Sequence, residues 1–393
     1  MGDAISNRVA AIEESATIAV SDRARALAAQ GHDIISFGAG EPDFPTPPHI
    51  VEAAIAAARD PVNHHYSANA GLGPLREAVA ADLGHYVGVE VGADSVLITN
   101  GGKQAVYQAC ATLLDPGDEA LVPAPYWVTY PEAVTLAGAV PITVPTDGGF
   151  RLQLEDLDRA RTPQTKLLIL VSPSNPTGVV YPREELQVIG RWAAERRLWI
   201  LTDDIYYRLV YGDARFESVA AATPELEGRW VMINGVSKTY AMTGWRVGWM
   251  VSTPEVTKAA GNLQSHLTSN VNNIAQRAAL AALTGPQDTV ETMREAFDQR
   301  RRMMVKTLDG LANVECTEPM GAFYAFPDLS WYADKVGGDI PLANLLLDRA
   351  GVAVVPGEAF GAPGYARLSY ALGDAQLEQG LDRMTSALEE LAS

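Results

Sequence analysis

The sequence predicts an α/β protein with a mostly parallel central sheet in a large domain and a second, small α+β domain. In the middle of the chain, short apolar or β-branched runs alternate with helical patterns, which is typical of βα units. From about residue 287, a long helical pattern leads instead to short strand-like runs separated by helices. The chain has 393 residues, 47% hydrophobic and 20% charged, so it can bury two cores and is too apolar to be disordered.

Seven strands are predicted for the central sheet: Val96 to Thr99, Glu119 to Val122, Val140 to Val144, Leu167 to Val171, Trp199 to Thr202, Val231 to Asn234 and Gly248 to Val251. Helices are predicted to begin near Thr46-Pro47, Tyr181-Pro182, Thr253-Pro254 and Ser330. A proline is tolerated in a first helical turn because the amide hydrogen that it lacks would have no partner there.

The last part of the chain predicts a smaller α+β unit. Helices are expected over residues 287–311, 342–350 and 375–391, and strands over 314–316, 322–326, 352–355 and 366–370. We place the boundary between the two units at the helix that begins near Gln287.

Charge and cysteine content exclude several classes of protein. The 48 acidic residues exceed the 30 basic ones, giving a formal charge of −18 that disfavours nucleic acid and anionic membranes as partners. No run reaches the roughly 18–20 apolar residues of a transmembrane helix, and the N-terminal segment does not resemble a signal peptide. Cys110 and Cys316 are far apart, and no histidine or cysteine spacing suggests a metal site. We therefore expect a cytoplasmic protein without a metal.

Polar or glycine-rich turns follow several predicted strands, at the sheet edge where ligands of open α/β proteins bind. In TNGGK, Gly101 and Gly102 would let backbone amides approach an anion at a helix start, although a tight turn alone also explains them. Lys103 is unfavourable in a first helical turn unless an anion lies near it. In TDDIYY, Asp203 and Tyr206 could present a carboxylate and a phenol to one ligand, or Asp203 could simply cap a helix.

Three further residues are candidates for chemistry. Lys238 is the only one of six lysines that lies in a glycine-rich segment of low charge, next to Ser237 and close to Arg246. Burial would lower its pKa and expose a nucleophilic amine, whereas the alternative is a solvated loop lysine. Asn175, between two prolines, could donate to a ligand or form an Asx turn. Arg367 begins an apolar strand, where it could grip a carboxylate or form an ion pair.

The same segments, taken in order, carry a family resemblance. They are AGEPDF (39–44), GGK (101–103), PYW (125–127), SNPTG (174–178), TDDIY (202–206), SK (237–238), GWRVG (244–248) and RLSY (367–370). From residue 7 to residue 373 the chain resembles the fold-type I, class I aminotransferases that use pyridoxal 5′-phosphate. Thr17 in the SAT motif and the segment 264–270 make it most similar to the prokaryotic subgroup of bacterial aspartate aminotransferases.

This resemblance implies a set of cofactor contacts. Lys238 would form a Schiff base with pyridoxal 5′-phosphate and then carry a proton, and Asp203 would keep the ring nitrogen protonated. Asn175 and Tyr206 would hydrogen-bond the ring oxygen. Trp127 would stack on the ring. Tyr66 would reach the phosphate of the cofactor from the neighbouring subunit of a homodimer. The other phosphate contacts, here called the cradle, would be Gly101, Gly102, Lys103, Ser237 and Arg246.

The resemblance also implies a substrate site and a domain division. Arg367 would bind the α-carboxylate with help from Gly40, and Lys103 would meet the distal carboxylate of aspartate. Trp127, Asn175 and Thr17 would complete the substrate site. Residues 1–45 would form an N-terminal arm and part of the small domain, 46–286 the large cofactor domain, and 287–393 the rest of the small domain. The implied reaction is transamination between L-aspartate and 2-oxoglutarate.

Three residues depart from the pattern of the family. Asp204 stands where a glutamate is usual and could alter a salt bridge, and Tyr207 replaces a glutamate common in aspartate-specific relatives. Glu13 stands at a position that looks basic in relatives acting on prephenate, so prephenate activity is not expected. An aminotransferase for aromatic, alanine-like or biosynthetic amino acids is therefore an alternative. A lyase or synthase of the same fold and the effector domain of a transcription regulator are less favoured alternatives.

Overall fold

The structure, a computed structural model, describes residues 5–10, 12 and 16–393. Its α-helices are α1 Asn7–Ala10, α2 Ala16–Ala29, α3 Pro48–Arg59, α4 Gly73–Asp82, α5 Gly102–Leu113, α6 Thr129–Leu136, α7 Leu154–Ala160, α8 Arg183–Glu195, α9 Val219–Ala222, α10 Pro254–Leu267, α11 Asn273–Thr284, α12 Asp288–Asp309, α13 Ser330–Val336, α14 Asp339–Leu345 and α15 Asp374–Ala392. Within the described ranges, no helix is both long and apolar enough to cross a membrane.

The strands are β1 Ile35–Ser36, β2 Val96–Thr99, β3 Glu119–Pro123, β4 Val140–Val144, β5 Thr165–Val171, β6 Trp199–Asp203, β7 Trp230–Gly235, β8 Gly248–Val251, β9 Tyr324–Ala325, β10 Val352–Ala353, β11 Val355–Pro356 and β12 Ala366–Ser369. Seven of them form one sheet in the order β2-β8-β7-β6-β5-β3-β4. Only β8 runs antiparallel to its neighbours, so the predicted α/β fold with a mostly parallel sheet is confirmed. The seven predicted central strands agree with the observed ones to within two residues at either end.

Two small sheets lie outside the central one. Strand β1, near the N-terminus, pairs in parallel with β10, and β11, β12 and β9 form an antiparallel sheet. Phe37 and Ile35 pack in one buried cluster with residues of α12, β9, β12 and α15, so both ends of the chain contribute to this core. The exact division at residues 45 and 286 stays a prediction.

Two strand predictions in the C-terminal part were wrong. The run 314–316 forms no strand, because only Glu315 pairs, in an isolated bridge to Asp328. The run 352–355 is two strands instead of one, since Val352 pairs with Ile35 while Val355 pairs with Arg367 in a different sheet. The helix predicted over 342–350 begins at Asp339 and ends in a π-helical turn over Leu346–Ala350.

Several helix starts follow directly from their sequence. Pro254 opens α10, and the side chain of Thr253 accepts a hydrogen bond from the amide of Val256. Asn272 caps α11 in the same way through the amide of Ala275. At the start of α5 the cap is Gly101, which has a φ of 80°, so no side chain of the cap residue covers the first amides of the helix. This open turn faces the cavity described next.

Candidate active site

A cavity of about 870 Å³ lies where the parallel strands of the central sheet end and the two small sheets approach. The turns after β2, β3, β5, β6 and β7 reach it, as expected for an open α/β sheet. Because β8 runs in the opposite direction, its first residues lie at the same edge, which brings Arg246 to the cavity. The lining includes Gly40, Gly102, Lys103, Trp127, Asn175, Asp203, Tyr206, Ser237, Lys238, Arg246 and Arg367.

The amine of Lys238 lies in this cavity, just beyond the end of β7. Its Nζ donates to the carbonyl oxygen of Gly40 at 2.5 Å and lies 5.9 Å from the centre of the Phe323 ring. Burial lowers the pKa of Lys238 to about 8; Glu41 acts in the opposite direction, and Arg367 and Arg246 add to the decrease. About a tenth of this amine is therefore neutral and nucleophilic at pH 7, far more than for a solvated lysine.

Asp203 closes β6 and is 5% exposed. Tyr130 donates to its Oδ2 at 2.9 Å, and the amide of Ile205 donates to Oδ1 at 3.3 Å. Burial raises the pKa of Asp203 to about 6, although these hydrogen bonds and the charge of Lys238 oppose the rise. The carboxylate is thus a buried acceptor that would gain from a cationic donor in the cavity.

Arg367 lines the cavity from β12 and is 2% exposed. Its Nη1 donates to Oδ1 of Asn175 at 3.1 Å and its Nη2 donates to the carbonyl of Gly38 at 2.9 Å. Among the described residues, no partner accepts a hydrogen bond from Nε. The guanidinium also lies 4.5 Å from the Tyr324 ring centre. With no carboxylate paired to it in the described chain, Arg367 can receive an anionic ligand.

The glycine-rich turn before α5 packs against Arg246. A Cβ atom on Gly101 would come within 2.6 Å of Nη2 of Arg246, so this position has no room for a side chain. Arg246 has a positive φ of 57° and donates through Nη1 to the carbonyl of Thr243 at 2.8 Å. The turn therefore joins open backbone amides to a guanidinium, the combination that binds a phosphate.

Lys103 follows in the first turn of α5, with Nζ 5.0 Å from the centre of the Trp127 ring. Burial, with a further contribution from Arg246, lowers the pKa of Lys103. The ring of Trp127 also meets Tyr130 edge-on, with 5.4 Å between the ring centres. Two cations and an indole thus share one wall of the cavity.

Two predicted site residues, Gly101 and Tyr66, do not line this cavity. Gly101 lies directly behind Gly102 and shapes the turn. Tyr66 is 91% exposed and does not reach the cavity of its own chain. Thr17 lies in α2, but its side chain is outside the described residues.

The structure also locates the departures from the family pattern. Tyr207 does not line the cavity, and its hydroxyl donates to Oδ2 of Asp82 at 2.9 Å. Asp204 is 1% exposed and accepts from Oγ1 of Thr202 at 2.6 Å. Burial raises the pKa of Asp204 to about 8, so it is mostly protonated at neutral pH and forms no salt bridge in the described chain. Glu13 lies outside the described residues.

Sequence reasoning missed four residues of the site. Tyr130 donates a hydrogen bond to Asp203. Tyr324 contacts Tyr206, with their hydroxyl oxygens 3.0 Å apart. Glu41 and Thr243 both line the cavity, and Glu41 lies inside the AGEPDF motif that the sequence analysis used without giving this residue a role. Tyr130 stands three positions after Trp127, the i, i+3 spacing of neighbours on one helical face, which could have indicated Tyr130. No cluster that could hold a metal is found among the described residues.

Comparison with known proteins gives a consistent result. A family model described as aminotransferase class I and II matches residues 32–384. An aspartate aminotransferase of Streptomyces avermitilis is 56% identical, with 98% of this chain and 97% of that protein covered. A probable aspartate/prephenate aminotransferase of Aquifex aeolicus is 44% identical over the whole of both chains.

The fold comparison agrees. A solved aspartate aminotransferase of Thermus thermophilus with maleate superposes with a TM-score of 0.93 at 40% identity, covering 98% of this chain and 100% of that one. Together with the cavity that brings Lys238, Asp203, Arg246 and Arg367 to one edge of the sheet, these matches show that the chain belongs to the class I and II aminotransferase family.

Proposed function

We propose that the protein is a homodimeric transaminase that uses pyridoxal 5′-phosphate and transfers the amino group between L-aspartate and 2-oxoglutarate. One observation carries the proposal. A partly buried amine of lowered pKa, Lys238, shares a cavity with the buried carboxylate of Asp203 and with two arginines, Arg246 and Arg367. An aminotransferase needs this set: a nucleophile, an acceptor for a ring cation, and sites for a phosphate and a carboxylate.

The residues present fit this cofactor. The side-chain-free turn at Gly101 and Gly102, next to Arg246 and Ser237, offers a cradle for a phosphate. Asp203 is a buried carboxylate that can accept from a protonated ring nitrogen. When bound, pyridoxal 5′-phosphate supplies an aldehyde that condenses with amines and a ring that withdraws electrons from the substrate α-carbon.

The chain's own residues then orient the substrate and move a proton. Arg367 binds the α-carboxylate on the side of Nε, the guanidinium nitrogen without a partner among the described residues, and Asn175 holds the guanidinium in place. A fixed carboxylate sets the direction of the Cα–H bond, which decides which bond of the substrate breaks. Nζ of Lys238 would accept the proton from Cα and donate it again, which a group with a pKa of about 8 can do in both directions near neutral pH.

Aspartate is favoured over other amino donors by Lys103. Its ammonium group lies on the cavity wall beside Trp127, where it can pair with a second carboxylate. The related proteins also favour dicarboxylates, since the Streptomyces and Thermus proteins are aspartate aminotransferases and the latter was solved with maleate. The Aquifex relative is named for prephenate as well. An aminotransferase for aromatic or alanine-like amino acids is the alternative.

A first experiment tests the nucleophile. In Lys238→Ala, borohydride reduction of the reconstituted protein should no longer fix the cofactor to the chain, as measured by intact-mass spectrometry. Lys258→Ala is the matched control, because Lys258 is an exposed lysine of α10 outside the cavity. A cofactor adduct that still forms by reduction in Lys238→Ala would overturn the assignment.

A second experiment tests the substrate. Lys103→Ser should reduce kcat/KM for aspartate about tenfold or more relative to alanine and phenylalanine, because a lost hydrogen bond to a charged group costs roughly 1.5–3 kcal/mol. The amino acids without a distal carboxylate serve as internal controls. Equal losses for all three substrates would limit Lys103 to phosphate binding and favour the alternative function.

A further inference from the structure

Glu41 is an acidic residue of the cavity that has no role in the reaction described above. It follows Gly40, whose carbonyl receives the amine of Lys238, and it lines the same cavity. The hydroxyl of Thr243 donates to Oε2 of Glu41 at 2.7 Å. The carboxylate is therefore fixed in direction by a residue 202 positions away in the chain.

Thr243 has a second contact, on the side of the phosphate cradle. Its carbonyl oxygen accepts from Nη1 of Arg246 at 2.8 Å. Thr243 thus connects the guanidinium of Arg246 to the carboxylate of Glu41. The segment from Gly38 to Glu41 completes this connection, because Gly38 accepts from Arg367 and Gly40 accepts from Lys238.

The charges that face Lys238 come from several elements. Glu41 and Asp203 are acidic, and Arg367 and Arg246 are basic. Lys103 lies in the same cavity and adds positive charge. Because Asp203 is engaged by Tyr130 and is placed to meet a ring cation, Glu41 is the acid that remains to balance the charge of the amine.

We propose that Glu41 is a positioning residue for the amine of Lys238. Held by the hydroxyl of Thr243, its carboxylate stabilises the protonated amine at the carbonyl of Gly40 whenever Nζ is not covalently engaged. The proton that Nζ takes from the substrate α-carbon then has a stable place until it is passed on. This inference rests on the proposed function only in that Lys238 is the reacting amine.

The test measures the protonation of Lys238 directly. The full-length protein, freed of cofactor, is labelled with a trace of acetic anhydride across a range of pH, and the acetylation of each of the six lysines is followed by peptide mass spectrometry. Only the neutral amine reacts. In Glu41→Gln, loss of the opposite charge should move the labelling midpoint of Lys238 to lower pH, with roughly threefold or faster labelling below the midpoint of the unmodified protein. Lys258 and Lys306 should be unchanged.

Asp43→Asn is the matched control, because it removes an acid from the same loop. Asp43 pairs with Arg300 at 2.8 Å and does not line the cavity, so its loss should leave the midpoint of Lys238 in place. Thr243→Val should move the midpoint in the same direction as Glu41→Gln, and Thr243→Ser, which keeps the hydroxyl, should restore it. If Glu41→Gln does not fold, the two Thr243 variants still test whether the held carboxylate stabilises the protonated amine of Lys238.

The change in the labelling midpoint of Lys238 should also appear in the steady-state kinetics. In the holoenzyme, Glu41→Gln should lower kcat more than it raises KM, and should move the midpoint of the pH profile that reports Lys238 in the same direction as the labelling. An unchanged midpoint in both Glu41→Gln and Thr243→Val would overturn the inference, as would an equal change in Asp43→Asn. Either result, with aspartate transamination intact, would leave the proposed function standing.

Discussion

Asp203 and Arg367 are buried ionisable residues of opposite charge, and each is held by neutral groups. Asp203 accepts from Tyr130 and from a backbone amide, while Arg367 donates to Asn175 and to the carbonyl of Gly38. Neutral partners satisfy hydrogen bonds without cancelling charge. Both residues therefore keep a net charge that a ligand of opposite sign can compensate.

Tyr130→Phe tests this arrangement. Without the hydroxyl, the charged form of Asp203 loses a hydrogen bond, so its pKa should rise further above about 6. A larger fraction of Asp203 is then protonated at neutral pH, and the acid limb of the kcat/KM profile should move to higher pH by on the order of one unit.

The control for this variant is Tyr240→Phe. Tyr240 is also a buried tyrosine, but it donates to Gln287 at 3.1 Å, away from Asp203. It should leave the acid limb unchanged. An acid limb that moves equally in both variants would contradict the role given to Tyr130.

At the residue scale, the sequence was most informative for side chains that stand in a local motif. Lys238, Asp203 and Asn175 each follow a predictable strand, so the shared sheet edge brings them together. Tyr130 and Tyr324 reach Asp203 and Tyr206 across 73 and 118 positions, and no local pattern fixes such contacts. The inward or outward direction of Tyr207 also depended on a distant residue, Asp82.

Among the elements, the turn between β2 and α5 depends most strictly on its sequence. Gly101 has φ +80° and lies against Arg246, so it needs glycine for two separate reasons. Gly101→Ala should destabilise the protein by about 1–3 kcal/mol through backbone strain. It should also weaken cofactor binding by roughly tenfold or more, because Arg246 must move away from the cradle to make room.

Gly117→Ala separates these two effects. Gly117 has φ +94° and nothing within 4 Å of its Cβ position, so alanine there should cost backbone strain alone. Thermal unfolding and the dissociation constant of the cofactor measure the two quantities. If Gly117→Ala weakens cofactor binding as much as Gly101→Ala, the close approach to Arg246 has no part in it.

The elements themselves were predictable to different degrees. The central strands were readable because buried parallel strands are continuous apolar runs. The reversed direction of β8 could not be read, since an apolar run has no polarity that distinguishes parallel from antiparallel pairing. The short strands of the C-terminal part, only two residues long in three cases, depend on partners far away in the chain.

At the scale of the whole molecule, Tyr66 is the residue that connects one chain to another in the proposed dimer. Its side chain is 91% exposed, which is unusual for a tyrosine that no interface covers. If Tyr66 completes the phosphate site of the partner subunit, Tyr66→Ala and Lys238→Ala should each be inactive as homodimers. Mixed dimers of the two variants should recover roughly half of the normal activity, since each mixed dimer has one intact site and one site that lacks both residues.

Differently tagged chains, co-expressed and purified in tandem, provide the mixed dimer. Tyr86→Ala is the control for Tyr66→Ala, because Tyr86 is also exposed, at 41%, and lies outside the cavity. Mixed dimers without recovered activity, or a fully active monomer, would contradict the shared site.

The hydrogen bond from Arg367 to Gly38 has a consequence for how the protein is made. The two residues are 329 positions apart, and β1 pairs with β10 over a similar separation. At about 5–20 residues per second, a ribosome needs roughly 15–70 seconds to synthesise the chain between them. During that time the segment around Phe37 is already outside the ribosome and has no partner. The nascent chain therefore presents an apolar segment that chaperones can bind until synthesis of the last strands lets the substrate site close.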